Sequence, residues 1–128
     1  MKLLLDTSTF LWIVDAPEHL SPRVAELFQS AENDVFLSAV SAWEIATKCA
    51  TGKMTLSEPA EHYVPKQRQA HRIRPLPIDE ESALRAATLP WLHKDPWDRI
   101  LVAQAVVHGL TIVTPDRLIA QYAVRTIW

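Results

Sequence analysis

Short apolar runs, each followed at once by a residue that can start a helix, restrict the folds open to this chain more than any other feature. Leu3-Leu4-Leu5 ends at Asp6, Val35-Phe36-Leu37 at Ser38, and Leu110-Thr111-Ile112-Val113 at Thr114-Pro115-Asp116. Runs so short, without polar alternation, suit strands buried on both faces, and Asp, Ser and Thr carry the side-chain oxygens that cap helix N-termini. The first strand is therefore expected over Lys2 to Asp6, with an apolar helix or turn over Thr7 to Val14. Ser21-Pro22 starts a helix ending near Ala31; Val35 to Leu37 is the second strand; Ser38 caps a helix from Ala39 to Thr51, stopped by Gly52. A proline-interrupted helix follows from Ser57 to about Gln69, then an edge segment from Ile73 to Leu76. Asp79 caps a helix to Thr88, and Asp95-Pro96 opens another, apolar nearly all round, that Gly109 ends. Leu110 to Val113 and Val124 to Ile127 complete the strands. Strands alternating with helices imply an α/β fold around a mostly parallel sheet.

A length of 128 residues with 48% apolar and 22% charged side chains is expected to form a single domain over 1–128. Asp6 cuts the opening apolar run far short of a signal sequence or membrane span, so a soluble cytoplasmic protein without membrane association is expected. The one cysteine, Cys49, allows neither an internal disulfide nor a cysteine-based metal site. Gly52 and Gly109 are the only glycines, too few for a phosphate-cradling loop. A net charge of −2 argues against a broad basic surface for nucleic acid, but acids that converge on a metal ion can still face a phosphate.

Four acids are candidates to converge. In open α/β sheets the functional crevice lies at the carboxyl ends of the strands, where Asp6 and Asp116 fall, and Asp98 lies in the first turn of a helix. Glu44, about six residues into its helix, must point inward to join them. Each has a structural alternative: Asp6 as a strand-end residue bonding helix amides, Glu44 as a capping-box member with Ser41 or an ion pair with Lys48, Asp98 as partner of the N-cap Asp95, and Asp116 as a cap. Together they form an all-oxygen donor set suited to Mg²⁺ or Mn²⁺.

The stretches Leu3–Thr7, Ser38–Ile45, His93–Arg99 with Ala103-Gln104-Ala105, and Leu110–Asp116 resemble, in order, the four acidic motifs of PIN domains of the VapC toxin type. The resemblance implies a three-layer α/β/α fold and a metal-dependent endoribonuclease that cleaves RNA. It also implies inhibition by a small antitoxin protein, a dimer or larger toxin-antitoxin assembly, and a Mg²⁺ (or Mn²⁺) site of Asp6, Glu44, Asp98 and Asp116. Asp98, not Asp95, is the core acid of the third motif. Thr114 matches the family's hydroxyl before the last acid, where it orients a carboxylate or water, and Thr7 falls in the first motif. Ser8 stands where many members have Asn or His, which puts a substrate contact from that position in doubt. Two other readings compete: a PIN fold kept as a catalytically idle binding module, and a receiver-type phospho-signalling domain, which would need other residues at the strand ends now held by Ser38 and Thr114.

Of the five tryptophans, Trp12 and Trp43 are expected in the core, and Trp91, Trp97 and Trp128 against a partner. The histidines show no metal spacing and are expected at the surface or in packing. Lys48 and Arg99 are candidates for phosphate contact or for structural roles.

Overall fold

The three consecutive leucines after Lys2 define the layers. In the computed structural model, which describes residues 1–128, strand β1 (Lys2–Leu5) is central, and successive side chains along it point to opposite faces. Leu3 and Leu5 join a core with Phe10, Val24, Leu37, Ile45 and Tyr63, whereas Leu4 joins a second core with Leu101, Val102, Ile112 and Ile119. All three leucines are fully buried. A strand buried on both sides has no use for polar alternation, which accounts for the uninterrupted run.

The first core is covered by α1 (Thr7–Asp15), α2 (Pro22–Gln29) and α4 (Ala60–Ala70), and the second by α6 (Pro96–His108) and α7 (Arg117–Ala120). Helix α3 (Ala39–Ala50) contributes to both, Ile45 to one and Val40 to the other, and α5 (Glu80–Thr88) packs on α6. The remaining strands are β2 (Asp34–Ser38), β3 (Arg74–Leu76), β4 (Thr111–Val113) and β5 (Thr126–Ile127). All are parallel, in the order β3-β2-β1-β4-β5. Leu3 sits in register with Val35 on one side and Thr111 on the other, and Leu5 with Leu37 and Val113. The chain runs outward from β1 through β2 to β3 and then returns to add β4 on β1's other side. The order thus reverses between β1 and β4, and in such sheets the crevice beyond the strand ends at the reversal is the usual ligand site.

Several boundaries differ from the sequence reading. The α4 helix begins at Ala60, three residues beyond Ser57, because Pro59 takes the cap position, and it continues through Pro65. The second helix ends at Gln29, and the last strand is confined to Thr126 and Ile127. Gly109 closes α6 in the left-handed conformation at φ 67°, the geometry that favours glycine there.

Trp43 is not a core residue: it is 62% exposed. Helix α3 buries Val40, Ser41, Glu44 and Ile45, and at ~100° per residue Trp43 falls outside that face. It meets Trp97 edge-on, with ring centroids 4.8 Å apart. Trp12 is half-buried, against Trp128 and His19.

Candidate active site

Asp6 leaves β1 and becomes the N-cap of α1, its Oδ1 accepting from the Thr9 amide at 2.7 Å. Its Oδ2 accepts from the Thr114 hydroxyl, which in turn accepts from the Asp116 amide at 3.0 Å. One threonine therefore links the acid after β1 to the acid after β4, across the reversal of strand order. Asp116 caps α7, with Oδ1 accepting from the Leu118 amide at 2.8 Å.

Asp98 reaches this corner from α6. The cap of that helix is Asp95, whose Oδ1 accepts from the Trp97 and Asp98 amides. The Asp98 carboxylate takes no part in the capping and accepts from His93 Nε2 at 3.1 Å. The helix itself is anchored by the fully buried Gln104, which accepts from Ser38 Oγ at 2.5 Å and donates to the Pro77 carbonyl at 3.1 Å. Gln104 thus fixes α6 against the ends of β2 and β3.

Glu44 does point inward, and only 8% of its surface is exposed. Its Oε1 accepts from the Thr7 hydroxyl and its Oε2 from Lys48, both at 2.6 Å. Thr7 has one hydroxyl proton, and a carboxylate can only accept, so Ser41, 3.0 Å away, donates to Thr7. The ion pair with Lys48 and the link to Thr7 coexist; the capping box does not form, since Ser38 is the cap of α3.

The electrostatics reflect the convergence. Burial pushes the Asp6 carboxyl above its ordinary value, against the hydrogen bonds from Thr114 and Thr9, and the Asp116 charge adds to the rise. Burial, then the charges of Asp95 and Asp116, pushes Asp98 up to about 6, against the bond from His93. Asp6 and Asp98 thus each sense the charge of Asp116 at the carboxyl end of the sheet. As they stand, no three His, Cys, Asp or Glu side chains are spaced to hold a metal ion together. Glu44 in particular is held by its own partners, Thr7 and Lys48.

One expectation changes here, and one open alternative closes. His93 is neither a surface nor a mere packing residue, because it touches Asp98; its position five residues before that acid in the same block was the available signal. Of the two roles open to Arg99, the structural one holds: the residue is 3% exposed. Its guanidinium donates to the carbonyls of Pro90, Ala86 and Leu89 and to the Tyr122 hydroxyl, beneath the Trp91 ring at 3.7 Å.

Known proteins share this arrangement of chain. Ribonuclease VapC22 of Mycobacterium tuberculosis is 29% identical over 116 residues, covering 90% of this chain and 87% of that protein. Ribonuclease VapC16 of the same organism is 36% identical over 73 residues, about half of each chain. Among solved structures, FitAcB from Neisseria gonorrhoeae superposes with a TM-score of 0.65 at 26% identity, covering 98% of this chain and 96% of that one. VapBC2 from Rickettsia felis, solved with a promoter DNA fragment, has a TM-score of 0.74 at 12% identity over 99% and 98% of the chains, a likeness of fold. The PIN domain model matches residues 3–125. A match of that extent takes in nearly the whole chain, and the protein belongs to the PIN-domain family.

Proposed function

We propose that the protein is a divalent-metal-dependent endoribonuclease that hydrolyses phosphodiester bonds in RNA and serves as the toxin of a toxin-antitoxin pair. The observation that carries this reading is the approach of both Asp6 and Asp98 to Asp116 at the reversal of strand order, with the carboxyls of Asp6 and Asp98 raised. The donor chemistry fits Mg²⁺ or Mn²⁺: all four candidates offer carboxylate oxygen, and a cation would relieve their repulsion. Asp6 and Asp98 would be the principal ligands, and Glu44 and Asp116 would complete the shell or position water. A divalent ion there supplies positive charge against the scissile phosphate and makes water a stronger acid. Thr114 holds the Asp6 carboxylate and the turn to Asp116, and Thr7 holds Glu44. The relatives named Ribonuclease VapC support the activity. The VapBC and FitAB structures, some with DNA, support a small antitoxin as partner and an oligomeric assembly. No helix is long and apolar enough to cross a membrane, and the cytoplasm is the proposed site of action. The test is cleavage of RNA in Mg²⁺ or Mn²⁺: we expect endonucleolytic products that EDTA abolishes, and full cleavage in chelator would refute the mechanism.

The raised carboxyls set a pH dependence. Folded Asp98, at about 6 against an ordinary 3.8, binds its proton more tightly than the unfolded chain does. Without divalent ion, its contribution to stability therefore falls as pH rises through the window between those values, and it is most favourable below it. Ion binding has the opposite sense, weakening as pH drops through about 6 because the proton competes. Calorimetric Mn²⁺ titrations across this range, with thermal midpoints of the wild type referred to Asp98→Asn, check both signs.

Lys48 neutralises Glu44 in the ion-free protein, its side chain 39% exposed. Lys48→Met is expected to lower ion-free stability by about 0.5–1 kcal/mol, the scale of a partly exposed pair, and to tighten Mn²⁺ binding a few-fold by removing a competing cation. Unchanged or weaker Mn²⁺ binding would place Glu44 outside the metal shell.

A further inference from the structure

We propose that His93 is a positioning residue for the metal site, locked by Tyr122 and Arg99 as the neutral Nε2–H tautomer so that it holds the Asp98 carboxylate in place. The inference rests on the reading of Asp98 as a metal ligand.

The proton accounting fixes the direction of the chain of bonds. Each terminal nitrogen of Arg99 carries two hydrogens, and all four are used: Nη2 on the carbonyls of Ala86 at 2.7 Å and Leu89 at 3.0 Å, Nη1 on the carbonyl of Pro90 at 2.9 Å and on Tyr122 at 3.1 Å. A guanidinium only donates, so the Tyr122 oxygen accepts from it. The phenol proton then has one partner in reach, His93 Nδ1 at 2.7 Å. If Nδ1 carried a hydrogen, the Tyr122 proton, on a residue only 4% exposed, would be left without an acceptor. Nδ1 therefore accepts, the ring's own hydrogen is on Nε2, and it points at Asp98 Oδ2, 3.1 Å away. Histidine donates here to a carboxylate rather than accepting from one.

The surroundings show why such a holder is needed. An acid at the third position of a helix ordinarily turns back toward the amides of the first turn. Here the Asp95 side chain caps the helix, and the Asp98 carboxylate does not turn back: its hydrogen-bond partner is His93, not a backbone amide. His93 supplies the missing donor and takes only one lone pair of one oxygen. The carboxylate keeps the rest of its accepting capacity for an ion. Arg99 ties this relay to the end of α5, so the orientation of Asp98 is referred to the packing of α5 on α6 rather than to a loop alone.

The test compares variants that differ in the donor. His93→Gln keeps an amide N–H that can reach Asp98, whereas His93→Leu keeps bulk without a donor. We expect His93→Leu to weaken Mn²⁺ binding, read by calorimetry on ion-free protein, by about 10–100-fold, the range for outer-sphere partners, and His93→Gln to recover most of it. Wild-type affinity in folded His93→Leu, alongside lost affinity in Asp98→Asn, would overturn the positioning role while leaving the metal site intact. Wild-type affinity in Asp98→Asn itself would overturn the metal-site reading, and the role of His93 with it. Nitrogen-15 spectra of the histidine rings in the wild type, recorded well above the ordinary imidazole value of ~6.5, give a readout that needs no variant to fold. An Nε2–H ring at His93 agrees with the assignment, and an Nδ1–H or doubly protonated ring contradicts it.

Discussion

Replacing Asp98 with asparagine is expected to reduce RNA cleavage by at least ~10²–10³-fold, the scale for losing one group that stabilises developing charge, while leaving the fold intact. The substitution is close to isosteric, and its carbonyl oxygen can still accept from His93 Nε2. Because burial and the neighbouring acids already push the Asp98 carboxyl up to about 6, a neutral amide removes an unfavourable charge, and the ion-free variant should melt no lower than the wild type. Loss of activity with stability kept or gained distinguishes a ligand from a structural residue. Asp6→Asn should lose activity to the same degree but with a stability cost. Its amide can accept from Thr9 through oxygen, but it presents NH₂ to Thr114, whose hydroxyl proton then has no acceptor. Initial rates and thermal midpoints on the two variants decide the matter: either variant retaining full cleavage would remove that acid from the site.

The largest effect on stability is expected at Arg99. Arg99→Met leaves the carbonyls of Ala86, Leu89 and Pro90 and the Tyr122 hydroxyl without their donor in the interior, and it removes the cation beneath Trp91. Each acceptor left buried and unpaired costs about 1–3 kcal/mol, so together they remove a large part of the roughly 5–15 kcal/mol that holds a domain together. Arg99→Lys should recover little, because one ammonium cannot serve four acceptors arranged for a planar fork. Denaturant unfolding of the three proteins measures it, and a loss below about 1 kcal/mol in Arg99→Met would show that water readily satisfies those acceptors.

The layers and most elements were legible in the sequence because the physics that sets them is local. Leu3-Leu4-Leu5 announces a strand buried on two sides, and Ser38, Asp95 and Asp116 each end in a helix that they cap. The α4 start and the exposure of Trp43 were less legible: the first turned on which of Ser57 and Pro59 holds the cap, the second on which stripe of α3 faces inward. An apolar residue in a periodic context is read as core by default, and only the tertiary orientation of the helix tells its neighbours apart.

The candidate site divides the same way. Residue types and strand-end positions pointed to Asp6, Glu44, Asp98 and Asp116, and the structure brings Asp6 and Asp98 each within electrostatic range of Asp116 while Glu44 is engaged by Thr7 and Lys48. The alternatives weighed for Asp95 and Asp116 also hold, since both cap helices. His93 and Tyr122 could not be found by spacing, being 29 residues apart and joined only by the fold. Arg99 is ambiguous in sequence for a general reason: a guanidinium that binds phosphate and one that gathers carbonyls need the same fork, and burial alone separates them.

The central claim is that carboxylates delivered by separate elements share one kind of cargo, a divalent cation. Crystals grown with Mn²⁺ and measured near the manganese absorption edge test it without reference to activity. The account predicts an anomalous peak bounded by Asp6 and Asp98, with Glu44 or Asp116 reoriented toward it. No peak at saturating Mn²⁺, or a peak away from those acids, would contradict it.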